Sequence, residues 1–516
     1  MRHLYLIVLM AFAMLLPEAA FAQEENWPAP CGTPGYRSEW LKSFQQRPVA
    51  SSRNSDTVLY VPLTIHLLGN DAGEGYFSVR RLKEAFCKLN DDFAPANIQF
   101  FLAGDIRYLP NSEYNVHESV LDGAEMMFAN NVANTLNIYF CDSPAGNCGY
   151  NLPYAGIAMN ESCSGPNSDT WAHEIGHALS VQHPFLGWEG GVSYDGSINH
   201  NYNDPAPETV LYDYTNFKDT LILDTTIIDT AIVELVDGSN CTVAGDGFCD
   251  TSPDYLGFRW NCNADGESPT LQTDPTGATF RSDGTLIMGY ANDGCQNRFT
   301  PEQVAAMRAN LYEEKPELIS PHAPPPPLAA EGPLQLLPED GGMAQYDNAA
   351  FSWEPVEGAE FYILEISLLP TMSSLVEEYV TPEPTLTLSN LQEGSTYYWR
   401  VSAFSRYSFC TERSERFSFD AMQVVQTEEL PGLTEAALFP NPAEGQTALR
   451  LTLEQPQPAV LSLYSASGQE VYRSAAELQS GSQQLNIPLG GLPAGLYELV
   501  LRTPQGQLNR KISVLP

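Results

Sequence analysis

The sequence predicts a multidomain chain, an α+β region followed by two β-sandwich domains, and three observations carry that expectation. Its 516 residues exceed what one hydrophobic core fills. Hydrophobic spacing before residue 320 mixes strand and helix periods. Beyond a proline-rich stretch at 321–327 (PHAPPPP) the pattern becomes short alternating strands between turn residues.

The chain opens on Arg2 and His3, an apolar run at 4–16, and small residues at Ala20 and Ala22 around Phe21. That order describes a signal peptide, residues 1–22, cleaved before Gln23. No later stretch reaches the ~18 apolar residues of a membrane span, so no transmembrane segment is expected. Residues 23–55 then read as a prosegment and 56–320 as the α+β domain. Within it, 59–68, 98–102 and 136–140 read as strands and 79–93 as a helix. A further helix is expected to start near Ser168, Asp169 and Thr170, residue types that cap helix N-termini.

Residues 321–332 read as a stiff, extended linker. The first sandwich, 333–422, is marked by strands at 351–353, 361–368, 385–388 and 397–403. The second spans 430–516.

The net charge of −39, from 64 acidic and 25 basic residues, excludes nucleic acid and anionic lipid surfaces as partners. All ten cysteines follow the signal peptide, which suits an oxidising compartment. Nine precede the proline stretch and only Cys410 follows it. The odd number leaves a thiol unpaired in the first part unless one crosses to Cys410.

The chemistry concentrates at His173-Glu174-Ile175-Gly176-His177, an H-E-x-x-H sequence opening a helix. Positions i and i+4 share a helical face, so both imidazoles reach one metal ion. Glu174 beside them serves as general base towards water at a zinc ion. His183 supplies a third ligand only if the chain turns. On an unbroken helix, six residues amount to a rotation of roughly 600°, more than 100° off the ligand face. The turn must fall between His177 and His183, where a left-handed residue other than glycine costs on the order of 1–2 kcal/mol. One alternative takes Glu208 or Glu234 as third ligand and leaves His183 unexplained.

Spacing and context resemble known families. The ten-residue offset from His173 to His183 resembles the metzincin pattern H-E-x-x-H-x-x-G-x-x-H, with Ser180 in place of its glycine, and 287–290 (IMGY) resembles the Met-turn under the metal. Residues 172–179 (AHEIGHAL), 245–253 (GDGFCDTSP) and 288–307 (MGYANDGCQNRFTPEQVAAM) occur in the order of the pappalysin family, and 65–67 and 89–93 fit its opening strand and helix. The resemblance covers about residues 31–312.

It implies a metzincin-like zinc metalloendopeptidase acting on protein or peptide substrates. Met288 would lie beneath the ligands and Tyr290 would steady the oxyanion. It also implies disulfides Cys262–Cys295 and Cys241–Cys249, and calcium held by Asp246, Thr251 and the Cys249 carbonyl. Cys31 in Cys31-Gly32-Thr33 resembles a latency cysteine at the open zinc position; a disulfide with one of the other eight stays the alternative.

In the first sandwich Trp353, Tyr362 and 391–401 (LQEGSTYYWRV) resemble a fibronectin type III domain. In the second, 439–442 (FPNP), 461–464 (LSLY) with Gly468, 492–497 (LPAGLY) and 511–514 (KISV) resemble the type IX secretion C-terminal sorting domain. That implies the type IX machinery as a partner, periplasmic transit, and release or attachment at the bacterial cell surface. The competing class is a surface adhesion protein carrying a catalytically degenerate metzincin domain, with Ser180 as its support.

Overall fold

The computed structural model describes residues 28–33, 35–47, 56–189, 200–213, 228–423, 430–465 and 469–515. The expected signal peptide, Gly468, and residues 23–27 and 48–55 of the expected prosegment lie outside the described residues.

The α+β region is built on a six-stranded sheet in the order Ile98–Leu102, Leu59–Gly69, Leu136–Cys141, Gly156–Asn160, Gly149–Leu152, with Arg107–Pro110 also pairing to Leu59–Gly69. Its strands run parallel except the last, which is antiparallel to Gly156–Asn160. The central strand Leu59–Gly69 is buried over its last seven residues, as expected where both faces are covered. The helix Val79–Phe93 starts where Ser78 accepts from the Arg81 N–H. It buries Leu82, Phe86, Leu89 and Phe93, the i, i+4, i+7, i+11 stripe of an amphipathic helix. Each such side chain contributes about 1.5–3 kcal/mol of hydrophobic burial.

The next helix of consequence is Thr170–Ala178, placed as expected but capped differently. The Asp169 side chain makes no cap hydrogen bond. Its buried carboxylate pairs instead with Lys88 of the preceding helix, so a helix–helix ion pair takes the place of a cap. Trp171 meets Phe86 edge-on at 5.4 Å and Phe140 at 5.2 Å, which docks this helix on the sheet. The described residues between 181 and 300 are mostly irregular. It is closed by Pro301–Glu313, a helix with proline in its first turn and a Thr300/Gln303 capping box.

Part of the expected prosegment runs along the sheet's edge. Gly32 N–H donates to the Gly149 carbonyl at 2.8 Å, and Cys148 N–H donates to the Ala29 carbonyl at 2.7 Å. The short helix Glu39–Gln45 follows and buries Leu41.

Four disulfides form: Cys87–Cys410, Cys148–Cys163, Cys241–Cys249 and Cys262–Cys295. Two of these are the pairs the resemblance implies. The parity argument has its exception fulfilled, since Cys87 crosses to Cys410. Two thiols nevertheless remain free, Cys31 and Cys141.

In the first sandwich Gln335–Leu337 pairs with Ala349–Trp353, and Phe361–Ser367 lies between Glu377–Thr381 and Ser395–Phe404. The proline stretch before it is no free spacer. Besides the disulfide, Phe409 stacks on Phe86 at 4.2 Å and Tyr407 on Phe101 at 5.2 Å. Lys83 Nζ donates to the Thr411 carbonyl at 2.6 Å, and Arg413 pairs with both Glu84 and Glu365. These contacts make the α+β region and most of this sandwich one compact unit.

The second unit includes a sandwich of its own. Leu433–Phe439, Gln446–Leu453 and Gly481–Pro488 form one antiparallel sheet. Glu470–Leu478, Gln457–Ser465, Gly495–Thr503 and Gly506–Val514 form the other. Leu449, Leu463, Ile487, Leu501 and Ile512 fill the space between them. The asparagine of FPNP has a structural task. Asn441 Nδ2 donates to the Lys511 carbonyl at 2.7 Å and its Oδ1 accepts from Ser513 N–H at 2.9 Å, tying that motif to the terminal strand.

Candidate metal centre

His173 and His177 project from Thr170–Ala178, one turn apart, and both are buried. The helix ends in a turn in which Val181 N–H donates to the Gly176 carbonyl and Ser180 N–H to the His177 carbonyl, each at 2.9 Å. Ser180 sits at φ 74°, the left-handed conformation expected there. Its hydroxyl accepts from Asn310 Nδ2 at 2.9 Å, a bond that glycine could not make and that offsets part of the strain. The turn then delivers His183 to the other two histidines.

The three Nε2 atoms lie 3.0–3.1 Å from one another. Tautomers follow from the opposite side of each ring. His173 Nδ1–H donates to the Ile287 carbonyl at 2.8 Å and His177 Nδ1–H to the Val181 carbonyl at 2.9 Å, because a carbonyl can only accept. His183 Nδ1 faces the Glu189 carboxylate oxygen Oε1 at 3.4 Å. The Nε2 atoms of His173 and His177 are thereby left as bare lone pairs, and that of His183 is aimed at the same point. Burial, reinforced by His183, holds His173 down at about 3; burial alone does the same for His183; and His177 lies well below its ordinary value, again chiefly through burial. Protons are therefore excluded from the point where the lone pairs meet, and a metal cation fits it.

Cys31 joins this group. Its Sγ and the three imidazoles have ligand atoms all within 4.8 Å of one another, so a Cys/His set able to hold a metal ion is present. Thr33 N–H points at the sulfur from 3.2 Å. Burial, then the nearby Glu174, pushes the thiol well above its ordinary value, which a cation at the site would reverse.

Glu174 is buried beside the histidines. Its Oε2 accepts from the Thr33 hydroxyl at 2.8 Å, while Oε1 has no hydrogen-bond partner among the described residues. Burial raises it to about 7. The edge strand passes so close that a Cβ on Gly149 would come within 2.8 Å of the Glu174 Cγ. Tyr290 donates from its hydroxyl to the Cys31 carbonyl at 3.3 Å. Met288 is fully buried, and a Cβ on Gly176 would lie 2.5 Å from its sulfur, so the methionine packs directly under the histidine helix. The turn around Met288 also supplies the Ile287 carbonyl that orients His173.

Glu208 is exposed. Glu234 is buried and raised to about 9, first by burial and then by Asp246. Neither belongs to the cluster found among the described residues. The residues expected to hold calcium are bonded to one another and to the loop. Asp246 Oδ1 accepts from Phe248 N–H at 3.0 Å and from the Thr251 hydroxyl at 2.9 Å. Cys249 is in its disulfide and donates its N–H to Glu302 at 2.7 Å.

Sequence reasoning missed Glu189, Asn310 and the contact of Thr33 with Glu174. Asn310 lies on a helix face with nothing local to distinguish it. The glycine at 176 carried a signal, since a helix-interior glycine costs about 1 kcal/mol against alanine and invites a packing reason.

Comparisons bear on the C-terminal part. Residues 437–515 match the family model described as the secretion system C-terminal sorting domain. Among solved structures the chain is similar to the chicken CNTN1 FN1–FN3 domains, at 13% identity over 37% of this chain and 69% of that one, TM-score 0.19. It is also similar to a fibronectin type III domain from the human KIAA0970 protein, at 18% identity over 18% of this chain and 72% of that one, TM-score 0.15. Comparison with the curated proteins gave no match. No described helix is long and apolar enough to cross a membrane. The chain carries a type IX secretion sorting domain at its C-terminal end, which engages the secretion machinery and directs the protein to the cell surface or beyond.

Proposed function

We propose that the chain is a zinc endopeptidase held latent by residues 28–33. The observation that carries this reading is the convergence of three imidazole Nε2 atoms beside a buried glutamate with one oxygen unpartnered among the described residues. Bonds of ~2.0–2.1 Å in tetrahedral array put ligand nitrogens about 3.3 Å apart, close to the observed spacing. A carboxylate that neighbours such a set without joining it has the position of a proton carrier.

When bound, zinc would supply a Lewis acid that acidifies water and polarises a peptide carbonyl. The chain's residues do the rest. Glu174 accepts the water proton on Oε1, the oxygen without a partner, and returns it to the leaving amine. Its elevation to about 7 matches a group that must both take and give a proton near neutrality. Tyr290 already donates to a peptide carbonyl, that of Cys31, and would donate likewise to the carbonyl under attack. The edge formed by Gly146, Cys148 and Gly149 would bind an extended chain through its main-chain groups, as it does Ala29 and Gly32.

The same segment supports latency. The Cys31 thiol would hold the metal together with the three histidines, and the Thr33 hydroxyl engages Glu174. Purified full chain is expected to carry close to one zinc and to hydrolyse peptides only after the segment bearing Cys31 is cut away, with activity lost to a chelator. Glu174→Gln should keep the metal and lower the rate on the order of 10²–10⁴-fold. Undiminished hydrolysis by that variant would sink the reading.

A further inference from the structure

We infer that Glu189 is a positioning residue for the third metal ligand, holding the His183 ring in the rotation that aims Nε2 at the shared point. This rests on the metal reading above. The inference begins from an asymmetry among the three histidines. His173 and His177 are oriented by backbone carbonyls, Ile287 under the Met-turn and Val181 in the turn after the helix. His183 arrives from the irregular side of that turn, and its Nδ1 is met by a carboxylate, Glu189 Oε1, at 3.4 Å.

The carboxylate is itself fixed. Glu189 Oε2 accepts from Gly187 N–H at 2.7 Å. Gly187 has φ 98°, and a Cβ there would stand 2.5 Å from the Ala231 Cβ, so the position that offers this donor suits glycine alone. The Glu189 backbone forms a parallel bridge with Gly257, where a Cβ would fall 1.9 Å from the Trp188 carbonyl. Above the side chain, the N-terminal segment crosses so closely that a Cβ on Gly35 would lie 2.3 Å from Oε1. Glycines thus enclose the carboxylate where side chains would displace it.

Packing alone leaves one freedom open. The His183 ring stacks on Phe185 at 4.5 Å with an interplanar angle of 13°, which sets the plane of the ring but not which nitrogen faces the cluster. An acceptor on the Nδ1 side makes that choice, because it requires the proton there and leaves Nε2 bare. A carboxylate also makes the imidazole a better donor than a carbonyl does, the usual work of an outer partner to a ligating histidine.

The test uses full-length chain and its Glu189→Ala and Glu189→Gln variants. Zinc affinity is read by competition with a chromophoric chelator, and ligand geometry by the visible d–d bands after cobalt substitution. Glu189→Ala should weaken zinc about 10–100-fold and shift the cobalt spectrum. Glu189→Gln retains an acceptor of the same shape, so it should recover most of the affinity and a near-parental spectrum. It also keeps the question answerable if the alanine variant does not fold. Affinity within about twofold and an unchanged cobalt spectrum in Glu189→Ala would overturn the inference while leaving the metal centre standing. A parental chain that takes up neither metal would overturn both.

Discussion

The two sandwiches share a strand pattern but differ in what holds them. Ile363, Phe404 and Phe409 of the first belong to one continuous apolar core with Phe86, Trp171 and Met288 of the α+β region. The core of the second is drawn wholly from residues between Leu430 and Val514. The first carries Cys410, bridged to the helix Val79–Phe93, whereas residues 430–516 contain no cysteine and no histidine. Alternating strands predict a sandwich in both cases, but they do not say whose core it completes. The first is part of the body that carries the Cys/His cluster, and the second is a module with its own core, suited to recognition by export machinery.

Opening the Cys87–Cys410 bridge should break that contrast most sharply. It closes a separation of 323 residues, for which constraint of the unfolded chain is worth about 5–6 kcal/mol. Cys87→Ser with Cys410→Ser should lower the unfolding transition of the first unit in calorimetry and leave that of the sorting domain in place. A parallel fall in both transitions would mean that the two sandwiches are not energetically separate.

Acid offers the second contrast, in chelator-treated protein. His173 and His183 have folded values of about 3 against an ordinary 6.5, so their neutral burial stabilises the fold above 6.5 and is lost as pH falls towards 3. Buried Glu174, Glu189 and Glu234 act oppositely, since raised folded values make the native state bind protons more readily. Their effect is complete near the ordinary carboxylate value of ~4.5. Buried Asp169, Asp246 and Asp254 are raised likewise and go on compensating down to their ordinary 3.8, so between about pH 3.8 and 3 the histidines act against the fold without this compensation, at about 1 kcal/mol each. Thermal melts across that window should show the first transition falling. The sorting domain, lacking histidine, should not share that contribution.

The same division explains what the sequence made legible. His173 and His177 follow from helical period, and His183 from its offset once the chain is required to turn. Rotation per residue required a turn before His183, resemblance put it at Ser180, and Ser180 is left-handed. Met288 and two disulfide pairs came through resemblance. The rest depends on residues distant in sequence. Thr33 lies 141 positions from Glu174, and Cys87 lies 323 from Cys410. No periodicity encodes such encounters. The proline stretch misled for a physical reason: a stiff segment can separate two bodies or return the chain to the first. Contacts such as Phe86 with Phe409 decide which.

Ser180 gives the smallest and most discriminating effect, because strain and hydrogen bonding oppose each other there. Glycine would relieve about 1–2 kcal/mol of left-handed strain but forfeit the bond from Asn310, worth about 1 kcal/mol, and leave a buried amide unpaired. Alanine would forfeit the bond and keep the strain. Glycine is therefore expected to be near neutral, within about 1 kcal/mol, and alanine to cost about 1–3 kcal/mol, read as shifts of the first transition in metal-free protein. The sorting domain serves as the internal reference in each melt. If alanine and glycine were equally tolerated, Asn310 would contribute nothing to the turn. If glycine alone raised stability by the full strain energy, the serine would be only a tolerated defect. The expected ordering, with glycine close to the parent and alanine below both, makes Asn310 the partner that lets a residue with a side chain deliver His183.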